Sequence, residues 1–276
     1  MFKKIALALT LIATASFATW DYYSIPREGI GSVKAGFYYD KHNQWSQMGL
    51  ELGARIDIAK KFEIALMGWG YQFWNEEDCR NCYNGGSGLR DLTIGGRYEA
   101  APMITAFLDL NIPTGRNEYD GQGTKPPSND EFSIYLGAQF SVDTKVKGFK
   151  IGGEAGLDWG FAHNDHERGL DFVVGMEGAF TIPDIGLTPY LGFEFTLRLT
   201  ESEWEENNGR DHGYDDDGST QFNLWFGGSY AVLKNLAVDA RFKYRHLRYK
   251  GDRGDGNPHK MDGDAFGFYL GVNLDF

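Results

Sequence analysis

Ala265-Phe266-Gly267-Phe268-Tyr269-Leu270-Gly271-Val272-Asn273-Leu274-Asp275-Phe276 ends the chain, and its reading decides the fold. Phe266, Phe268, Leu270, Val272, Leu274 and Phe276 share one parity. Gly267, Tyr269, Gly271, Asn273 and Asp275 share the other. Successive side chains of a strand point to opposite faces, so the stretch has one apolar face and one small-or-polar face.

The same alternation recurs upstream, giving twelve segments: 31–40, 44–58, 62–74, 88–99, 103–112, 131–143, 148–161, 170–182, 187–199, 220–232, 235–249 and 264–276. The segment at 187–199 sets Leu191, Phe193, Phe195, Leu197 and Leu199 against Gly192, Glu194, Thr196 and Arg198. The segment at 62–74 is the weakest, because Trp69 and Tyr71 fall on the polar parity and Gly68 and Gly70 on the apolar one. Connections after even-numbered segments are tight, as at 59–61, 100–102, 144–147, 183–186 and 233–234. Those after odd-numbered segments are polar, and four of them, 75–87, 113–130, 200–219 and 250–263, are long. An even strand count with short turns at one end and long loops at the other is the pattern of outer-membrane barrels. The prediction is an all-β chain forming a single antiparallel up-and-down transmembrane β-barrel of about twelve strands, with both termini on the periplasmic side.

A terminal strand ending in Phe resembles the insertion signal of bacterial outer-membrane β-barrels. That resemblance implies recognition of Phe276 by the barrel-assembly machinery, and a finished barrel surrounded by outer-membrane lipid and lipopolysaccharide. The other end agrees with export. Lys3 and Lys4, an apolar run from Ile5 to Ala13, and small residues up to Ala18 read as a secretory signal peptide over 1–18, leaving 19–276 as the barrel. The apolar run is shorter than the ~20 residues a membrane-spanning helix needs.

Mean hydropathy of −0.43 does not argue against a membrane protein, because only alternate residues of a barrel strand meet lipid. A formal charge of −12 argues against nucleic acid, whose partners need a basic footprint. The two cysteines, Cys79 and Cys82, suit a local disulfide in an exported chain. Asn84, Gly85 and Gly86 offer nothing to complete a zinc site, and no helix follows a strand as a redox motif requires.

If the apolar parity faces lipid, the polar parity faces the lumen. It is rich in glycine, which leaves room inside, and twelve strands lie between a filled eight-stranded barrel and an open sixteen-stranded one. Its charges are sorted. Glu154, Asp158, Asp171, Glu177 and Glu194, against Lys150 and Arg198, make an acidic wall. Arg241, Lys243 and Arg245, with Lys34 and Arg55 beside them across the closure, make a basic one. Opposed walls create a transverse field that orients a polar or zwitterionic solute. The alternative is that the charges pair across the lumen and seal it.

Tyr38, Tyr39, Trp45, Phe73, Trp74, Tyr98, Trp159, Phe161 and Tyr249 lie near strand ends and suit interfacial girdles, or equally ordinary sheet aromatics. The loop over 200–219 is strongly acidic, but Gly213 stands where an EF-hand needs its first Asp, so the loop reads as a solvated acidic surface. His246 lies on the lipid parity near the outer rim, as a barrel lipase would need. Its candidate partners are Ser219 and Thr220, with no orienting Asn or Asp evident.

Leu89-Arg90-Asp91-Leu92-Thr93-Ile94-Gly95-Gly96-Arg97-Tyr98, followed by Leu108-Asp109-Leu110-Asn111-Ile112-Pro113-Thr114-Gly115, is similar to a run in the outer-membrane family named for the meta-pathway of phenol degradation. The resemblance implies a barrel transporter for small, often aromatic or hydrophobic compounds. Asp91, Thr93, Arg97 and Asp109 fall on the inward parity as pore-lining candidates. The sequence therefore predicts a channel that passes or binds small solutes without a cofactor. A sealed surface-interaction barrel and a lipid-modifying enzyme are the alternatives.

Overall fold

The structure, a computed structural model, describes residues 30–43, 45–76, 85–115, 128, 131–161, 166–206, 210–213, 215–250 and 262–276. The expected signal segment and both cysteines lie outside the described residues. The strands in chain order are Gly31–His42 (β1), Trp45–Ala59 (β2), Phe62–Glu76 (β3), Gly85–Leu89 (β4), Leu92–Ala101 (β5), Ile104–Ile112 (β6), Ser133–Asp143 (β7) and Phe149–Gly160 (β8). They continue with His166–Glu167 (β9), Asp171–Phe180 (β10), Leu187–Arg198 (β11), Glu203–Glu206 (β12), Arg210–Gly213 (β13), Thr220–Leu233 (β14), Leu236–Arg248 (β15) and Gly263–Asp275 (β16).

Each barrel strand is antiparallel to its neighbours. The ring closes where β1 meets β16, with Val33 opposite Leu274, Gly36 opposite Gly271 and Lys41 opposite Phe266. The lower half of β3 pairs with β5 and its upper half with β4, so β4 and β5 make one stave interrupted at Arg90 and Asp91. Counted this way, the closed cylinder has twelve staves, as the sequence predicts. β9, β12 and β13 form a small separate sheet from two connections at the long-loop end, 162–169 and 200–219.

The barrel is apolar outside and polar inside. Leu50 and Phe242 are 59% exposed and Phe266 64%, all on the outward parity, whereas Glu177 on the inward parity is 1% exposed. Such a surface is stable only against hydrocarbon. Closure pairs every stave on both sides except along β4, which pairs with β3 alone, and so spares nearly the whole sheet an unsatisfied edge in lipid.

The irregular alternation of β3 has a local cause. Across from β2, the register steps from Leu52 opposite Trp69 to Ala54 opposite Leu66. Met67 and Gly68 thus face Gly53 alone, a bulge of one extra residue. Gly68 adopts φ +72°, a left-handed conformation that glycine reaches without strain. The bulge resets the phase, so Trp69, Tyr71 and Phe73 point outward although their number parity says inward.

The glycine-rich inner face is not empty. Opposite Gly192 in the register stands Trp225, whose ring occupies the space a Cβ on Gly192 would need, at 2.5 Å. Tyr190 covers Gly227 and Tyr38 covers Gly49 in the same way, each from the directly opposed position. Tyr269 covers both Gly36 and Gly271, and Tyr135 covers Gly156. The glycines let aromatic rings lie flat along the wall. The expectation that they simply leave the lumen open is corrected accordingly.

Candidate functional site: the barrel lumen

Two cavities occupy the long-loop half of the lumen. The outer one, about 600 Å³, is lined by Tyr135, Glu154, Asp158, Asp171, Glu194 and Arg198, and by Thr196, Gln221, Leu247 and Tyr249 among others. The inner one, about 270 Å³, lies at mid-height between Arg97, Asp109, Tyr135, Glu154, Glu194, Asn223, Trp225, Arg241 and Lys243, with Met67 beside them. Tyr135, Glu154 and Glu194 line both cavities, so the vestibule and the inner space adjoin.

The charges at mid-height are fixed by cross-strand contacts. Arg97 on β5 forms a two-pronged pair with Asp109 on β6, at 2.5 and 2.9 Å. Its guanidinium also lies 5.9 Å from the Phe107 ring centroid. Glu154 accepts hydrogen bonds from the Tyr135 hydroxyl at 2.8 Å and the Gln139 amide at 2.9 Å. Glu194 accepts one from the Asn223 amide at 2.8 Å. Facing them from β15, Arg241 lies over the Tyr269 ring at 4.9 Å, and Lys243 faces the inner cavity. Toward the short-turn end the lumen is packed. Glu177 accepts the Trp225 indole N–H at 2.6 Å, and Asp239 accepts the Tyr190 hydroxyl at 2.9 and 2.8 Å. Arg55 and Glu63 are buried 3.9 Å apart.

The thirteen predicted lining residues do not form one group. Arg97, Asp109, Glu154, Glu194, Arg241 and Lys243 meet around the inner cavity, while Asp158 and Arg198 belong to the vestibule. The remaining five line neither cavity. Lys34 pairs with Glu51 at 2.7 Å, Arg55 faces Glu63, and Glu177 holds Trp225. Arg245 lies 3.6 Å from Asp40, and Asp91 accepts the Gly115 N–H at 3.0 Å.

The outer mouth on the β7 to β11 side carries a continuous ionic network. Arg168 bridges Glu131 at 2.7 Å, Asp158 at 2.9 Å and Asp171 at 2.7 Å. Asp171 also binds Arg198, which in turn binds Asp216 at 2.5 Å. Asp216 is only 1% exposed and accepts the Ser202 N–H and hydroxyl as well. Burial alone would raise the Asp216 pKa, but the Ser202 N–H and the Arg198 guanidinium outweigh it and hold the pKa below the usual carboxylate range. At this position the acidic loop is anchored rather than solvated. Eight acidic residues within 200–219 do not reveal in sequence which one turns inward.

Two further expectations are corrected. Tyr38, Trp45, Trp74 and Tyr249 do not join a lipid-facing girdle. Tyr38 donates to Gln72 at 3.0 Å inside the lumen, Trp45 stacks on Trp74 at 4.9 Å and is buried, and Tyr249 lines the vestibule. Tyr98 and Trp159 do face outward. His246 does have an acidic neighbour, because Asp264 stands directly opposite on β16, 2.7 Å from Nδ1, and also accepts the Tyr244 hydroxyl. Its other neighbour is Phe222, and Ser219 lies on the vestibule side, accepting the Lys250 N–H. Thr220 shares the outward parity of Phe222 but stands opposite Arg248, two residues beyond the His246 position.

The architecture is that of an outer-membrane-type β-barrel with a polar, partly filled lumen. Residues 68–257 match the family described as putative MetA-pathway of phenol degradation. That is more than half of the chain, and the protein belongs to this family. Among solved structures, it is similar to the COG4313 outer membrane channel from Pseudomonas putida F1, with 12% identity, TM-score 0.70, and coverage of 94% of this chain and 99% of that one. The translocator domain of autotransporter NalP from Neisseria meningitidis aligns with 15% identity, TM-score 0.54, and coverage of 99% and 96%. LpxR from Salmonella typhimurium aligns with 8% identity, TM-score 0.53, and coverage of 87% and 99%. At these identities the likeness is one of fold. A comparison with curated proteins finds no match.

Proposed function

We propose that the protein is an outer-membrane channel that passes or binds small solutes through its lumen, with no cofactor. The observation that carries this reading is the pair of adjoining cavities, which run from the long-loop mouth to mid-height and share Tyr135, Glu154 and Glu194. Family membership and the printed description of the Pseudomonas structure as a channel support it. In this reading the protein is exported by its N-terminal leader, Phe276 engages the barrel-assembly machinery, and lipopolysaccharide surrounds the long-loop end. Membrane fractionation locates the chain. Purified protein in planar bilayers tests the channel: discrete conductance steps are expected, and a silent bilayer at high salt would overturn it.

A second reading is favoured by the short-turn half, where Arg55, Asp57, Glu63, Glu177 and Asp239 are buried against one another and their neighbours. If that floor never yields, the barrel is sealed and its outer surface is the working part. The same recordings separate the two readings. For the lipid-modifying alternative, His246→Ala is expected to leave phospholipid turnover unchanged.

A further inference from the structure

The inner cavity presents a specific set of unfulfilled groups. The Lys243 ammonium makes no hydrogen bond or ion pair with the described residues, although it lines a space bounded by two carboxylates, Glu154 and Glu194. Asn223, 2% exposed, spends its amide N–H on Glu194, and its Oδ1 has no hydrogen-bond partner among the described residues. Arg97 is committed to Asp109, so its charge is balanced within the wall.

A half-buried ammonium and a buried amide oxygen each carry a desolvation cost that only a suitable partner relieves. A simple anion would suit Lys243 but meet Glu154 and Glu194. A simple cation would suit the carboxylates and Asn223 Oδ1 but meet Lys243 and Arg241. A solute carrying both charges a few bonds apart satisfies both walls at once.

We propose that the mid-lumen cavity binds a small zwitterion of the α-amino-acid type. Its carboxylate faces Lys243, its ammonium lies between Glu194 and the Asn223 oxygen, and its side chain lies along Tyr135 and Trp225. The reading rests on the lumen being reachable from the vestibule, but binding is measurable without conduction.

Isothermal titration of the full-length protein in detergent compares phenylalanine with phenethylamine, which lacks its carboxylate, and 3-phenylpropionate, which lacks its ammonium. Phenylalanine is expected to bind at least about tenfold more tightly than either. Lys243→Met should abolish the preference over phenethylamine, and Glu194→Gln the preference over 3-phenylpropionate. The heat-dependent mobility of each variant on gels reports whether the barrel has folded. Equal affinity for the three compounds, binding of none, or unchanged preferences in both folded variants overturns the proposal. Tighter binding of 3-phenylpropionate or phenethylamine overturns it in favour of an anion or cation site. Phenylalanine binding alongside a silent bilayer would instead sink only the channel reading.

Discussion

The indole of Trp225 lies flat over Gly192, its directly opposed partner on β11, and donates its N–H to Glu177 at 2.6 Å one strand further on. Three neighbouring strands are thereby joined inside the lumen by one ring. Gly192→Ala places a methyl where the ring now sits, and the ring has to turn into the lumen or the wall has to shift. The expected cost is about 1–3 kcal/mol of stability, as for overpacking in a core. Urea unfolding in lipid vesicles measures it, and channel recordings should show a smaller conductance.

Arg97 and Asp109 test the energetics of the mid-height wall. Asp109→Ala strands a buried guanidinium, with an expected loss of about 3–5 kcal/mol. Replacing both partners, as Arg97→Met with Asp109→Leu, should recover most of that loss, because the penalty belongs to the unpaired charge. Unfolding midpoints of the two variants decide the matter.

Asp216 makes the mouth sensitive to acid. Its folded pKa is depressed, so its contribution is fully present above the ordinary carboxylate range and lost as pH falls through the lower, folded value. Hydrogen exchange of residues 199–206 and 215–219, taken relative to the intrinsic rate at each pH, should be slow near neutrality and fast in strong acid. Asp216→Asn should speed it at neutral pH, with the rest of the barrel unaffected.

Phe242 tests the orientation of the barrel. It sits at the middle of β15 and is among the most exposed apolar side chains. Phe242→Arg is expected to cost about 2–4 kcal/mol in a bilayer, as for a cation at the lipid midplane. A surface facing water would tolerate it, so unchanged folding into vesicles would refute the orientation.

The staves and the sorting of turns were legible because lipid and lumen impose a strict period of two on every segment. Gly68 broke that period, and a single glycine in sequence does not announce a bulge. The lining residues were legible by parity, but their grouping was not. Pairing of Arg97 with Asp109, or of Lys34 with Glu51, depends on which strands neighbour and in what register. Parity puts Tyr38 with Lys34 and Trp45 with Arg55 on the inner face, but the girdle expectation followed their place near strand ends, since aromatic residues suit both a lipid interface and a glycine-lined wall. Asp264 was invisible as a partner of His246 because 18 residues separate the two in the chain.

The seam where Gly68 bulges and the neighbouring stave is interrupted at Arg90 and Asp91 divides the wall mechanically. Above it, the upper half of β3 and β4 hold to the rest through the pairing of β3 with β2 and the ion pair of Arg90 with Glu51 on β2, while the Arg90 N–H bond to the Gly70 carbonyl lies within the hairpin itself. Rising denaturant should therefore peel this hairpin away as its own cooperative unit, while the hoop beneath stays shut.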